Sequence, residues 1–97
     1  MTKNAKYISF TGLELAIIDR LLVLDDQGNN RQFGIEQLGM ALDIRKEIML
    51  HAKDDKLFDG NVTLSTEEKT YLLQLMASRT FSIHDGPSAR SLYEKLK

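Results

Sequence analysis

Residues Ile35 to Asp54 read IEQLGMALDIRKEIMLHAKD, and the order of apolar residues in this stretch decides the fold expected for the whole chain. At roughly 100° per residue, Ile35, Leu38 and Leu42 point one way, while Ile44, Ile48, Met49 and Ala52 point about a quarter turn away. One straight helix with one buried face does not satisfy both sets. A break near Asp43 does, because Asp tolerates the left-handed backbone that ends a helix better than most residues, though less well than Gly. The stretch is therefore expected to form a short helix, a tight turn and a second helix, a helix-turn-helix from Gly34 to Asp54. Phe33 stands where it can staple the start of the first helix.

In that arrangement Ile44, Ile48, Met49 and Ala52 face the core, and Arg45, Lys46, Glu47, Leu50, His51 and Lys53 face outward. An outward leucine is most simply explained by another helix or a second subunit covering it.

Working outward, Met1 to Phe10 is short, with Tyr7, Ile8 and Phe10 as apolar anchors, and reads as an extended arm or a brief strand. Thr11-Gly-Leu-Glu14 fits a capping box, and the spacing predicts a helix from Gly12 to Leu24. Its apolar surface is wide enough to imply burial on two sides. Asp25-Asp-Gln-Gly-Asn-Asn30 follows as a turn-forming loop; its spacing does not fit an EF-hand calcium loop. Arg31 follows it and would reach a phosphate only if the next helix docks on DNA.

On the other side, Asp59-Gly60 is a two-residue turn signal and Val62-Thr-Leu64 alternates as a half-buried strand, so a β-hairpin is expected from Lys56 to Leu64. Ser65-Thr-Glu-Glu68 is a second capping box, opening a helix to about Ser78 with Tyr71, Leu72, Leu75 and Met76 as its stripe. Pro87 suits the first turn of a last helix carrying Leu92, Tyr93 and Leu96.

The run L-G-x-x-L-D-I-R-x-x-I-M-x-x-A, Leu38 to Ala52, resembles the helix-turn-helix of winged-helix and repressor-type DNA-binding families. Leu38, Leu42 and Ile44 fall on their apolar positions and Gly39 where a small residue lets two helices touch. Asp43 replaces the turn glycine, and Arg45 the serine that commonly caps the second helix. The resemblance covers about twenty residues. It implies that the second helix enters a major groove with Arg45 and Lys46 at its N-terminal end, and that His51 and Lys53 serve phosphates. The hairpin would be the wing, with Lys56 and Asn61 near phosphate or the minor groove.

Composition bounds these readings. With 97 residues the chain is expected to be one domain, residues 12–64 forming the winged-helix-like core and 65–97 a C-terminal helical extension. Hydrophobic residues make up 42% and there is one proline, which predicts a folded chain. The absence of cysteine removes disulfides and thiolate metal sites, and the first ten residues lack the apolar run of a signal peptide. A cytoplasmic protein without a membrane span is expected. Thirteen Lys and Arg against fourteen Asp and Glu give a formal charge of -1, which counts against an autonomous DNA binder.

Catalysis has no visible constellation. His51 and His84 are the only histidines, His84-Asp85 lacks companions, and Asp85 reads better as a helix cap. Neither Ser82 nor Ser88 has the context of a nucleophile turn, and the glycines do not form a phosphate loop. The expectation is a mostly helical protein with a winged-helix-like helix-turn-helix, a small β-hairpin and two C-terminal helices. It is expected to bind nucleic acid as a homodimeric transcriptional regulator, without enzymatic activity or cofactor. The alternative is a small helical adaptor or inhibitor that binds a protein. The two differ in where charge gathers: DNA needs Arg45, Lys46, Lys53 and Lys56 on one face, clear of Glu47, Asp54 and Asp55, whereas an adaptor expects mixed charge around an apolar patch.

Overall fold

The computed structural model describes residues 5–97; of the expected N-terminal arm, residues 1–4 lie outside the described part. Residues Ala5–Phe10 form a strand, β1, so the arm is a strand where it is described. Thr11 then turns the chain into α1, Gly12–Val23, through the expected capping box. The Thr11 hydroxyl accepts from the Glu14 N–H at 3.1 Å, and the Glu14 carboxylate accepts from the Thr11 N–H at 2.8 Å. Leu15, Ile17, Ile18, Leu21 and Leu22 are all buried, because α1 is packed by neighbours on several sides. Most of the wide apolar surface is used, but Leu13 stays 70% exposed and Val23 37%.

The loop after α1 closes on itself. The Asp25 carboxylate accepts from the N–H groups of Gln27 and Asn29, both at 2.9 Å, and these bonds hold it below the usual carboxylate range. Arg31 does not reach outward. Its Nε donates to the Leu21 carbonyl at 2.8 Å and its Nη2 to the Leu24 carbonyl at 3.1 Å, satisfying carbonyls left open where α1 ends. Arg79 donates to the same Leu24 carbonyl and pairs with Asp26.

The central stretch departs from the sequence reading. Residues Ile35–Met49 form one continuous helix, α2, which passes through Asp43 without a turn. Asp43 is exposed on its side, and no special backbone is asked of it. The expected helix-turn-helix from Gly34 to Asp54 is replaced by one continuous helix that buries Ala41, Ile44 and Ile48. Met49 and Ala52, expected in the core, are exposed.

The hairpin also moves. Strands β2, Ala52–Lys53, and β3, Lys56–Leu57, pair across a turn formed by Asp54 at φ 52 and Asp55 at φ 64. Two consecutive positive-φ residues make the kind of turn whose twist suits a hairpin, and Asp is among the few side chains that accept it. Asp59-Gly60, read as the turn, is employed otherwise. The Asp59 carboxylate accepts from the Gly12 N–H at 2.7 Å, at the start of α1, and Gly60 opens strand β4, Gly60–Ser65. Gly12 itself admits no side chain, since a Cβ there would strike the Leu57 carbonyl.

Strand β4 pairs with β1 in antiparallel register, from Ala5 opposite Ser65 to Phe10 opposite Gly60. Val62 and Leu64 alternate inward as expected, joined by Phe10, while Tyr7 points away from the core. Ser65 then caps α3, Thr66–Ala77, with the second capping box. Helix α4, Gly86–Leu96, begins with Pro87 in its first turn. Asp85 stands at its N-cap position but makes no capping bond; its carboxylate lies 3.5 Å from Arg20 instead.

The described chain is thus mostly helical with a small antiparallel sheet. One core joins all of it: Leu92 and Leu96 of α4 are buried with Leu15 and Ile18 of α1, Ile44 and Ile48 of α2, and Leu72 of α3. An ion pair secures the C-terminal end, with Lys95 Nζ, on a side chain 32% exposed, 2.6 Å from the Glu14 carboxylate, itself 1% exposed.

Candidate interaction face on helix α2

The apolar residues whose directions suggested a break lie on the single helix α2, with Met49 on the side of Ile35 and Leu42 and not, as expected, with Ile44 and Ile48. Its inner face, with Ala41, Ile44 and Ile48, meets α1 and β4. Roughly opposite, Ile35, Leu42 and Met49 recur every seven residues, with Gly39 and Lys46 between them. Spacings alternating four and three are those of a helix-to-helix seam. This seam is open: Ile35 is 83% exposed and Leu42 58%, and Leu50, just past the helix end, is 72% exposed. The outward Leu50 is where the sequence reading placed it.

Gly39 adds a second observation. Glycine inside a helix costs about 1 kcal/mol relative to alanine, and a Cβ built at Gly39 would meet nothing within 4 Å. No internal packing demands a glycine there. On the open seam, it removes a side chain between Ile35 and Leu42 and lets another backbone come close.

The residues expected to contact DNA are placed as follows. Arg45 lies on the flank of α2 nearest α1, where its Nε pairs with Asp19 at 2.9 Å. Lys46 stands in the open seam itself, exposed. His51 is turned inward to the sheet: its Nε2 lies 2.9 Å from the Asn61 carbonyl. A carbonyl only accepts, so Nε2 carries the proton in this contact. The ring sits over Gly60, where a Cβ would collide with it. His51 therefore fastens the hairpin region to β4 by its side chain, while its carbonyl accepts from the Phe58 N–H at 3.0 Å. Lys53 and Lys56 are opposite one another in the hairpin, both exposed, across the Asp54–Asp55 turn. Asn61 is exposed on β4, its carbonyl taken by His51.

The charges do not collect into one sign. A shallow groove between α1, α2 and the hairpin holds Arg45, Lys53 and Lys56 together with Asp19, Asp54 and Asp55. Three cations and three anions cancel there. Farther round α2, Glu36 and Asp43 are exposed on the flank away from Arg45. The face of α2 is accordingly an apolar seam with one lysine in it and an acidic flank on one side.

Sequence reasoning missed the roles of Arg31 and Arg79 as caps of α1 and of His51 as a fastener; none has a short-range signal, because their partners are brought in by the fold. The face on α2 did have one. That α2 has more than one apolar direction was visible; the bend at Asp43 and the placing of Met49 with Ile44 and Ile48 were not borne out. Comparison with known proteins brings no family model, curated protein or solved structure that matches the chain. No helix among the described residues is long and apolar enough to cross a membrane.

Proposed function

We propose that this chain is a small protein-interaction module, an adaptor or inhibitor, whose docking surface is the outer seam of α2 and whose partner presents an amphipathic helix. The observation that carries this reading is the second apolar face, Ile35, Leu42 and Met49 at heptad spacing, on a helix whose other face is already buried. Covering a large aliphatic side chain completely is worth about 1.5–3 kcal/mol. Ile35 and Leu42 together supply a useful anchor for a helix about two heptads long.

The mixed charge of the neighbouring groove also supports this reading, because a polyanion gains affinity from uncancelled cations. A second reading, nucleic-acid binding in transcriptional control by a homodimer, is favoured by the order of elements. Helices α1 and α2 pack together and a small hairpin follows α2 directly, which keeps the helix-then-hairpin part of the winged-helix order with one helix where the resemblance implies two, and Lys46, Lys53 and Lys56 are exposed.

A photo-reactive residue at position 42 of the full chain, used in its native cell, separates the two. The module is expected to yield a protein adduct that disappears when Ile35→Asp is added and that does not form from the same residue at the exposed position 70 of α3. Equal yields from positions 42 and 70 would sink it. Fluorescence anisotropy with mixed-sequence duplex DNA at low and moderate salt tests the second reading, which requires binding that weakens steeply with salt.

A further inference from the structure

The flanks of the α2 seam define the charge of the helix that docks there. In heptad order, Ile35, Leu42 and Met49 occupy one core position and Gly39 and Lys46 the other. Glu36 and Asp43 then fall side by side on one flank, exposed. Arg45 falls on the opposite flank, where Asp19 neutralises it at 2.9 Å.

These positions oppose pairing of α2 with itself. In an antiparallel pair related by a twofold axis, like flanks meet, so Glu36 and Asp43 of one copy lie beside Asp43 and Glu36 of the other. In a parallel pair the core positions meet their own equivalents, and Lys46 faces Lys46 across a desolvated seam. Like charges in such positions are destabilising and direct partner choice.

Building on the interaction module proposed above, we infer that the partner is a different protein whose docking helix has a basic flank facing Glu36 and Asp43, an apolar seam with a large side chain over Gly39, and an acidic residue within reach of Lys46. Charge complementarity selects it, and the same charges keep the chain from occupying its own face. The glycine deepens the seam at its middle.

The test uses the full chain and two designed helical peptides of about two heptads, with identical leucine seams and a single acidic residue to meet Lys46. One has lysine and arginine on the flank facing Glu36 and Asp43; the other has glutamate there. At low salt the basic-flank peptide is expected to bind roughly ten-fold more tightly, and the preference should invert in the double variant Glu36→Lys, Asp43→Lys. Both substitutions are at exposed positions, and a cooperative thermal transition confirms that the fold is kept. Equal affinities for the two peptides would overturn the inferred partner chemistry and leave the docking face standing. If neither peptide binds wild type while Leu42→Asp changes nothing, the docking face falls with it. Sedimentation that finds a dimer dissociated by Leu42→Asp would overturn the inference from the other side, by showing that the chain does occupy its own seam.

Discussion

At the scale of single residues, Glu14 does three things at once. Its carboxylate completes the capping box with Thr11, receives Lys95 from α4 and is closed off from solvent. Burial pushes its pKa up, but the hydrogen bonds from Lys95 and the Thr11 backbone, with the charge of Lys95, outweigh burial and hold the carboxyl below its ordinary value. A carboxylate depressed in the folded state adds stability that is fully present above its unfolded pKa and is lost as pH falls through its folded pKa. Unfolding free energy is therefore expected to drop on acidification from the ordinary glutamate range downward. Glu14→Gln should cost about 1–3 kcal/mol at neutral pH and flatten that acid limb, as read by urea unfolding at a series of pH values. An acid limb as steep in the variant as in wild type would assign the effect to other carboxylates. The capping partners of Glu14 were legible because they are three residues apart; Lys95 was not, because only the packing of α4 on α1 brings it near.

Among the elements, α2 carries the main lesson about reading a sequence. Periodicity reports that this stretch has more than one apolar direction, but it groups Met49 and Ala52 with the buried residues and both are exposed. It does not report what lies against each direction. A bend at Asp43 and a straight helix with an unoccupied second face have the same pattern, and nothing local between Leu42 and Ile44 distinguishes them. Substitution does: on a continuous, exposed helix Asp43→Ala should raise stability by about 0.5 kcal/mol, since alanine is the better helix former, whereas a residue needed for a left-handed turn would lose stability on the same change. A chemical unfolding curve shifted to lower denaturant would contradict the straight helix. The hairpin failed for a related reason. Asp59-Gly60 has the stronger turn composition, yet β4 is drawn to β1, Gly60 is needed beneath His51 and Asp59 is needed at the start of α1. Asp54 and Asp55 then take the turn that remains. The two capping boxes and Pro87 fell where expected because each is complete within one turn of helix.

For the molecule as a whole, the C-terminal helices belong to the one core. Leu92 and Leu96 are buried against residues of α1 and α3, and Glu14 is left without Lys95 if α4 is removed. Removing a buried leucine typically costs about 2–5 kcal/mol, and two of them approach the 5–15 kcal/mol that holds a small domain together. A chain ending at residue 85 is thus expected to lose cooperative thermal unfolding, followed by circular dichroism; a sharp transition within a few degrees of the full chain would show that residues 5–85 are a domain on their own. That dependence was not legible in the sequence, where the last helices look like an appendage. Nor was the pairing of β1 with β4, which no local rule connects. This pairing has a consequence during synthesis. Ala5 emerges from the ribosome about sixty residues before Ser65, its partner in the sheet; at roughly 5–20 residues per second that delay is about 3–12 s. Through it β1 waits as an unpaired strand carrying Tyr7, Ile8 and Phe10, the state in which a nascent chain is most open to capture by another strand or by a chaperone.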